Sequence, residues 1–273
     1  MKNFLKSILL FGIAGMMFAA CSELSLSETE LKFPAGFFEK KSFVVKTDLD
    51  WDIVEKPNWV SLSKIEENGR TIVEVSPYEN HSFDSRMGKI KIQTAEKFYI
   101  VDLFQDGVKL KKESGDLGLS VEWSTCNLGA TKSTDFGNYY TWNEIHDYQS
   151  NGYRLPTHEE QCELIRNCNW VCGETDGING IYVVAKNGNY MFLPTTGGEN
   201  GSDEGGRWCD KDVFGYYWSS SPSTDGEAYC MEVEVSSWTP GLSWGHATRK
   251  RFYTPNHTYN PAVISVRLVR DVK

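Results

Sequence analysis

The chain is short of positive charge. Its 28 lysines and arginines are outnumbered by 37 aspartates and glutamates, a formal net charge of -9. A nucleic-acid binder needs a basic face, so that class is excluded and no nucleic-acid partner is expected. Histidine is scarce as well, with five in 273 residues, and no HExxH pair occurs among them. Residues 22–125 hold no cysteine. Apolar runs long enough to span a bilayer are missing: the longest, Ile8–Ala20, is too short for a permanent span. The 40% hydrophobic share excludes wholesale disorder, and the length fits one large domain or two ordinary ones.

That short apolar run follows Lys2 and Lys6 and ends in Phe18-Ala19-Ala20-Cys21. A basic start, an apolar core and small residues at the end make a secretory signal. The ending resembles the lipobox of bacterial lipoproteins. The resemblance implies removal of residues 1–20 and acylation of Cys21, so that the membrane is a partner through a lipid anchor. Cleavage leaves 253 of the 273 residues and, with Lys2 and Lys6 gone, a charge of -11. Residues 21–30 then read as a lipidated tether. The implied location is the bacterial outer membrane, facing the periplasm or the cell surface.

Composition changes near residue 110. All cysteines after Cys21 fall at or beyond Cys126, and seven of the nine tryptophans lie past residue 110. The basic run Lys109, Lys111, Lys112 separates the two regimes. Before it come short β-branched and aromatic segments at 42–46, 51–54, 59–62, 71–75, 88–92 and 98–104, divided by Pro57, Asn68-Gly69, Pro77 and Asn80. They predict a small antiparallel β-sandwich with Trp51 and Trp59 in its core. Arg86, between a turn and a strand, is read as satisfying turn carbonyls or a carboxylate.

The pattern Trp51, Trp59, Val75, Asn80, Arg86-Met87-Gly88-Lys89-Ile90 and Gln105-Asp106-Gly107 resembles a BACON domain. These immunoglobulin-like modules are common in exported proteins of Bacteroidetes. The resemblance places an immunoglobulin-like β-sandwich over 31–109.

Beyond it, Thr157 followed by Glu160 marks a capping box and a helix ending near 166–167. Segments 180–184 and 190–193 flank Lys186-Asn187-Gly188-Asn189, a hairpin signal. Further strands are expected at 214–221, 228–235 and 263–269. The segments 116–130, 136–144, 153–160, 187–198, 215–221 and 265–270 resemble, in order, the lectin-like domain named for the major paralogous family of Fibrobacter succinogenes. That resemblance implies an α+β, C-type-lectin-like fold over 115–273.

Six cysteines remain after Cys21: 126, 162, 168, 172, 209 and 230. An even number in an exported chain favours disulfides over buried thiols or a metal, with Cys209–Cys230 as one candidate pair. His158, in the first turn of the helix, is read as exposed. The carboxylates Glu144, Asp147, Glu159 and Glu160 single out no acid and base, and Glu160 already has a capping role. The calcium motifs of sugar-binding C-type lectins are missing. No cofactor, metal or catalysis is expected.

Polar loops at 197–212 and 236–258 are the expected recognition surface. Trp208, Trp238 and Trp244 are its candidate aromatic contacts, with Arg207 and Arg249 adding polar ones. The expected ligand is a glycan or an envelope protein. The alternatives are an enzyme acting on polysaccharide and a structural component of a surface assembly.

Overall fold

A computed structural model of the chain describes residues 23–36, 39–200, 207–209, 211–223, 227–239, 242–253 and 262–272. For 199–200, 207–209, 227, 236–239 and 242–253 it describes the backbone alone.

Eight strands form the first region: β1 Ser25–Leu26, β2 Glu30–Phe33, β3 Lys41–Lys46, β4 Trp51–Glu55, β5 Val60–Glu67, β6 Arg70–Pro77, β7 Arg86–Thr94 and β8 Phe98–Gln105. They build two sheets, ordered β1-β3-β6-β5 and β2-β8-β7-β4. Alternation decides the inner face. Along β6, Thr71, Val73, Val75 and Pro77 point inward; along β7, Ile90, Ile92 and Thr94 do. These meet Phe33, Phe43, Trp59, Val101 and Leu103 in one core, with Trp51 at its margin.

Two details differ from the sequence reading. The sandwich is not wholly antiparallel, because β2 runs parallel to β8. Nor is 21–30 all tether: Leu24 is buried in the core, β1 pairs with β3 and β2 begins at Glu30. A buried leucine, the whole of β1 and the first residue of β2 lie among the serines and glutamates of SELSLSETE.

The polar residues of the BACON-like pattern fasten the end of this sandwich. Gln105, 1% exposed, donates through Nε2 to the carbonyls of Pro34, Ala35 and Tyr78, at 3.1, 3.2 and 3.1 Å. Arg86 donates to Gln105 Oε1 at 2.8 Å and to the carbonyls of Tyr78 and Glu79. Its guanidinium lies over the Trp59 ring, 4.8 Å from the centroid. Buried Asn80 donates to the carbonyls of Asp84 and Asp106.

The second region contains β9 Lys112–Glu113, β10 Val121–Trp123, α1 Trp142–Ile145, β11 Gln149–Ser150, β12 Tyr153–Arg154 and α2 His158–Asn167. Then come β13 Cys168–Thr175, β14 Ile178–Ala185, β15 Asn189–Pro194, β16 Gly198–Asn200, β17 Arg207–Cys209, β18 Phe214–Pro222, β19 Glu227–Thr239, β20 Leu242–Tyr253 and β21 Val269–Asp271. Their sheets run β10-β21-β12-β11, β13-β14-β15-β9, β16-β17 and β18-β19-β20. The architecture is thus a β-sandwich followed by an α+β region. The expected hairpin forms, with Tyr182 opposite Phe192 and Gly188 at φ +83° in its turn.

The sheet β13-β14-β15-β9 is covered on both faces. Cys168, Trp170, Cys172, Ile181, Val183, Met191 and Leu193 face the core of the second region. The alternate residues Val171 and Val184 face the sandwich, where they pack with Ala35 and Val108, flanked by Tyr182 and Tyr190. Phe83 of the sandwich meets Tyr182 edge-on, with ring centroids 5.4 Å apart. Gly36 approaches Asn169 so closely that an added Cβ would sit 2.1 Å from Nδ2.

The basic run at the expected boundary is part of this seam and not a free linker. β9 pairs in parallel with β15, Lys111 N donates to Gly188 O at 2.9 Å, and Ser114 N donates to Tyr190 O at 2.8 Å. Burying a valine contributes about 1.5–3 kcal/mol, so the three valines alone hold the seam with on the order of 5 kcal/mol.

Among the described residues the expected disulfides are absent: Cys126, Cys162, Cys168, Cys172 and Cys230 form none among themselves. The side chain of Cys209, the other half of the candidate Cys209–Cys230 pair, lies outside the described residues. The layout explains the absence. Cys168 and Cys172 point from the same strand face four residues apart, about 13 Å, well beyond the Cα separation a disulfide tolerates. Cys230 lies in a different core, with Trp218, Ile264 and Val266. Burial pushes the thiols of Cys168 and Cys172 up to about 12.

Candidate functional site

The expected recognition residues are spread over two ribbons. Arg207 and Trp208 lie on β17, opposite Asn200 and Glu199. Trp238 is on β19; Trp244 and Arg249 are on β20, opposite Ser236 and Met231. Segments 236–239 and 242–253 are therefore strand where loop was expected, because the backbone pairing of β19 with β20 runs on past residue 235. The side chains of these five residues lie outside the described residues, as does Cys21 altogether.

The expected carboxylates sort by local chemistry. Glu144 closes a capping box with Thr141 at α1, and hydrogen bonds from the Thr141 side chain and backbone hold its carboxyl below the usual range. Glu160 does the same at α2: Thr157 N donates to its Oε2 at 2.7 Å, and Arg154 reaches both of its oxygens, at 2.9 and 2.7 Å. Desolvation alone would raise the Glu160 carboxyl, but the bonds from Arg154 and Thr157 win and hold it low. Both groups are occupied in building helix ends.

Glu159 is different. It projects from the first turn of α2 with His158, and one turn later Cys162 comes round to the same face. The Sγ of Cys162 lies 3.6 Å from Nε2 of His158. A ligating atom from each of His158, Glu159 and Cys162 falls within 4.8 Å of the other two. Among the described residues this is the one such group of three that could hold a metal ion. Cys162 is buried, His158 half-buried and Glu159 exposed, so the cluster runs from the interior to the surface.

The fold fixes this cluster firmly. The capping box sets the first turn of α2, and His158 N donates to Ser221 Oγ at 3.0 Å. The imidazole stacks on Tyr229, with centroids 4.0 Å apart. Gln161, almost fully buried, donates to the carbonyls of Tyr217 and Trp218 and ties the helix to β18. His158 is therefore not the freely exposed residue expected. The sequence signal for the cluster is the i,i+4 spacing of His and Cys on a helix.

Concave surfaces also lie elsewhere among the described residues. A polar cavity of about 410 Å³ is lined by Glu113, Cys126, Thr131, Thr134, Thr175 and Asp176, among others. Another, of about 350 Å³, sits at the sandwich end near Glu23, Asp50, Lys97 and Tyr99.

No protein-family model matches the chain, and a search of curated proteins finds no match. Among solved structures, a Bacteroides ovatus GH5 xyloglucanase in complex with a XXXG heptasaccharide is 12% identical with a TM-score of 0.29, over 42% of this chain and 30% of that one. Domains 5–6 of the S-layer protein SbsC are 11% identical with a TM-score of 0.26, over 90% and 96% of the two chains. The chain thus spans under a third of the xyloglucanase, and likenesses this remote carry neither a fold assignment nor an activity.

Proposed function

We propose that the protein is a non-catalytic envelope lipoprotein serving as a rigid structural component of a surface assembly, its sandwich a stem for the α+β head. The observation that carries this reading is the apolar seam of Ala35, Val108, Val171 and Val184. A spacer that merely tethers a binding head needs no such seam; a part that transmits a fixed geometry does. In this reading Cys21 carries the lipid. Leu24 is buried only three residues later, so at most about 10 Å of extended chain separates lipid from sandwich. The stem then stands directly on the membrane. The immunoglobulin-like and C-type-lectin-like assignments belong to the same reading and rest on the sequence resemblances.

The test is made in the envelope of the producing cell. Cys21→Ser is expected to release the chain from the membrane fraction. Cross-linking of the wild type in intact envelopes is expected to give discrete higher-mass species that a seam variant, Val171→Asp, loses. A chain that cross-links to nothing would contradict the structural role. Release of products from a polysaccharide panel would favour an enzyme instead.

A further inference from the structure

We propose that His158, Glu159 and Cys162 form a binding site for a zinc-class divalent ion, with the remaining coordination position open to water. This goes beyond the structural role and does not depend on it. The residues supply one imidazole, one carboxylate and one thiol, a donor set suited to a borderline-soft transition ion rather than to calcium or magnesium. Their spacing fits. Zinc bonds of about 2.05 Å to nitrogen and 2.3 Å to sulfur, at a tetrahedral angle, place the two atoms about 3.5 Å apart. Nε2 of His158 and Sγ of Cys162 are 3.6 Å apart.

The surroundings are those of a built site. The two inner ligands need no search of conformations: the helix sets their spacing, and stacking on Tyr229 sets the imidazole plane. Preset ligands lower the ordering cost of binding. Glu159 is the mobile arm. Its side chain is 79% exposed and its salt-bridge contact, to Arg166, is long at 3.9 Å, so a modest rotation brings it to the ion. On binding, the Cys162 thiol proton leaves to solvent as the sulfur–metal bond forms. With the cysteine buried and the carboxylate outside, the open position faces the surface.

The probe is Co²⁺ added alone to the reduced full chain in detergent, followed by displacement with Zn²⁺. The expected result is one equivalent bound, with a near-ultraviolet thiolate-to-cobalt charge-transfer band and visible bands of tetrahedral intensity. Cys162→Ser should abolish the charge-transfer band, and Cys168→Ser should leave it. His158→Gln and Glu159→Gln should each weaken binding by about tenfold or more. Glu159 is exposed, so its variant keeps the test meaningful even where Cys162→Ser folds poorly. No band in the wild type, a band that survives Cys162→Ser, or an unchanged affinity in Glu159→Gln overturns the proposal.

Discussion

Arg267 donates through Nε to Oδ1 of Asn127 at 2.8 Å, and both residues are buried. The other guanidinium nitrogens go to backbone. Nη1 reaches the carbonyls of Ser124 and Thr125, and Nη2 that of Phe192 at 2.9 Å. One side chain thereby fastens the 124–127 turn, β15 and the C-terminal segment together. Desolvation lowers its affinity for the proton, yet an arginine stays charged. Arg267→Met leaves these acceptors without a donor, each costing about 1–3 kcal/mol when buried. Urea unfolding should show a loss of at least about 3 kcal/mol. Arg267→Lys should recover part of it, because one ammonium satisfies fewer of these acceptors.

Asn80 plays a similar role at the sandwich end. Its amide donates to the carbonyls of Asp84 and Asp106, 2.8 and 2.9 Å away. Asn80→Ala should destabilise the chain by about 1–3 kcal/mol, read as a lower urea midpoint with unchanged slope. Asn80→Asp should not rescue it, since a carboxylate meets two carbonyls with no proton to give.

The thiols carry a prediction of their own. With no disulfide among Cys126, Cys162, Cys168, Cys172 and Cys230, the melting temperature should not change when reductant is added. Cys168 and Cys172, pushed up to about 12 by burial, should resist iodoacetamide at pH 8 in the folded chain. Both should alkylate in urea without prior reduction. Mass spectrometry of peptides spanning 162–186 reads both outcomes.

Legibility in the sequence followed locality. The α2 helix announced itself through Thr157 and Glu160, and the hairpin through Lys186-Asn187-Gly188-Asn189, because caps and turns are local chemistry. The sandwich strands showed in their alternation. The seam did not show. Val171 and Val184 sit in strands apolar on both faces, and such strands do not say what covers each face. Lys109–Lys112 marked the divide between two regimes because charge was visible while the bonding of its backbone to β15 was not. Cys162 was read for a disulfide partner, so its spacing to His158 went unused. Arg267 stood in view within SVRLVR, but only the folded chain brings four acceptors to it.

In the proposed role sandwich and head behave as one mechanical unit, and limited trypsin digestion of the folded chain decides whether they do. Lys109, Lys111 and Lys112 are exposed cleavage sites at the junction, but the backbone there is bonded to the edge of β15. No cut at 109–112 is expected to precede global unfolding in the wild type, and Val171→Asp is expected to open this site. Early, clean splitting of the wild type at these lysines into two stable fragments would contradict it.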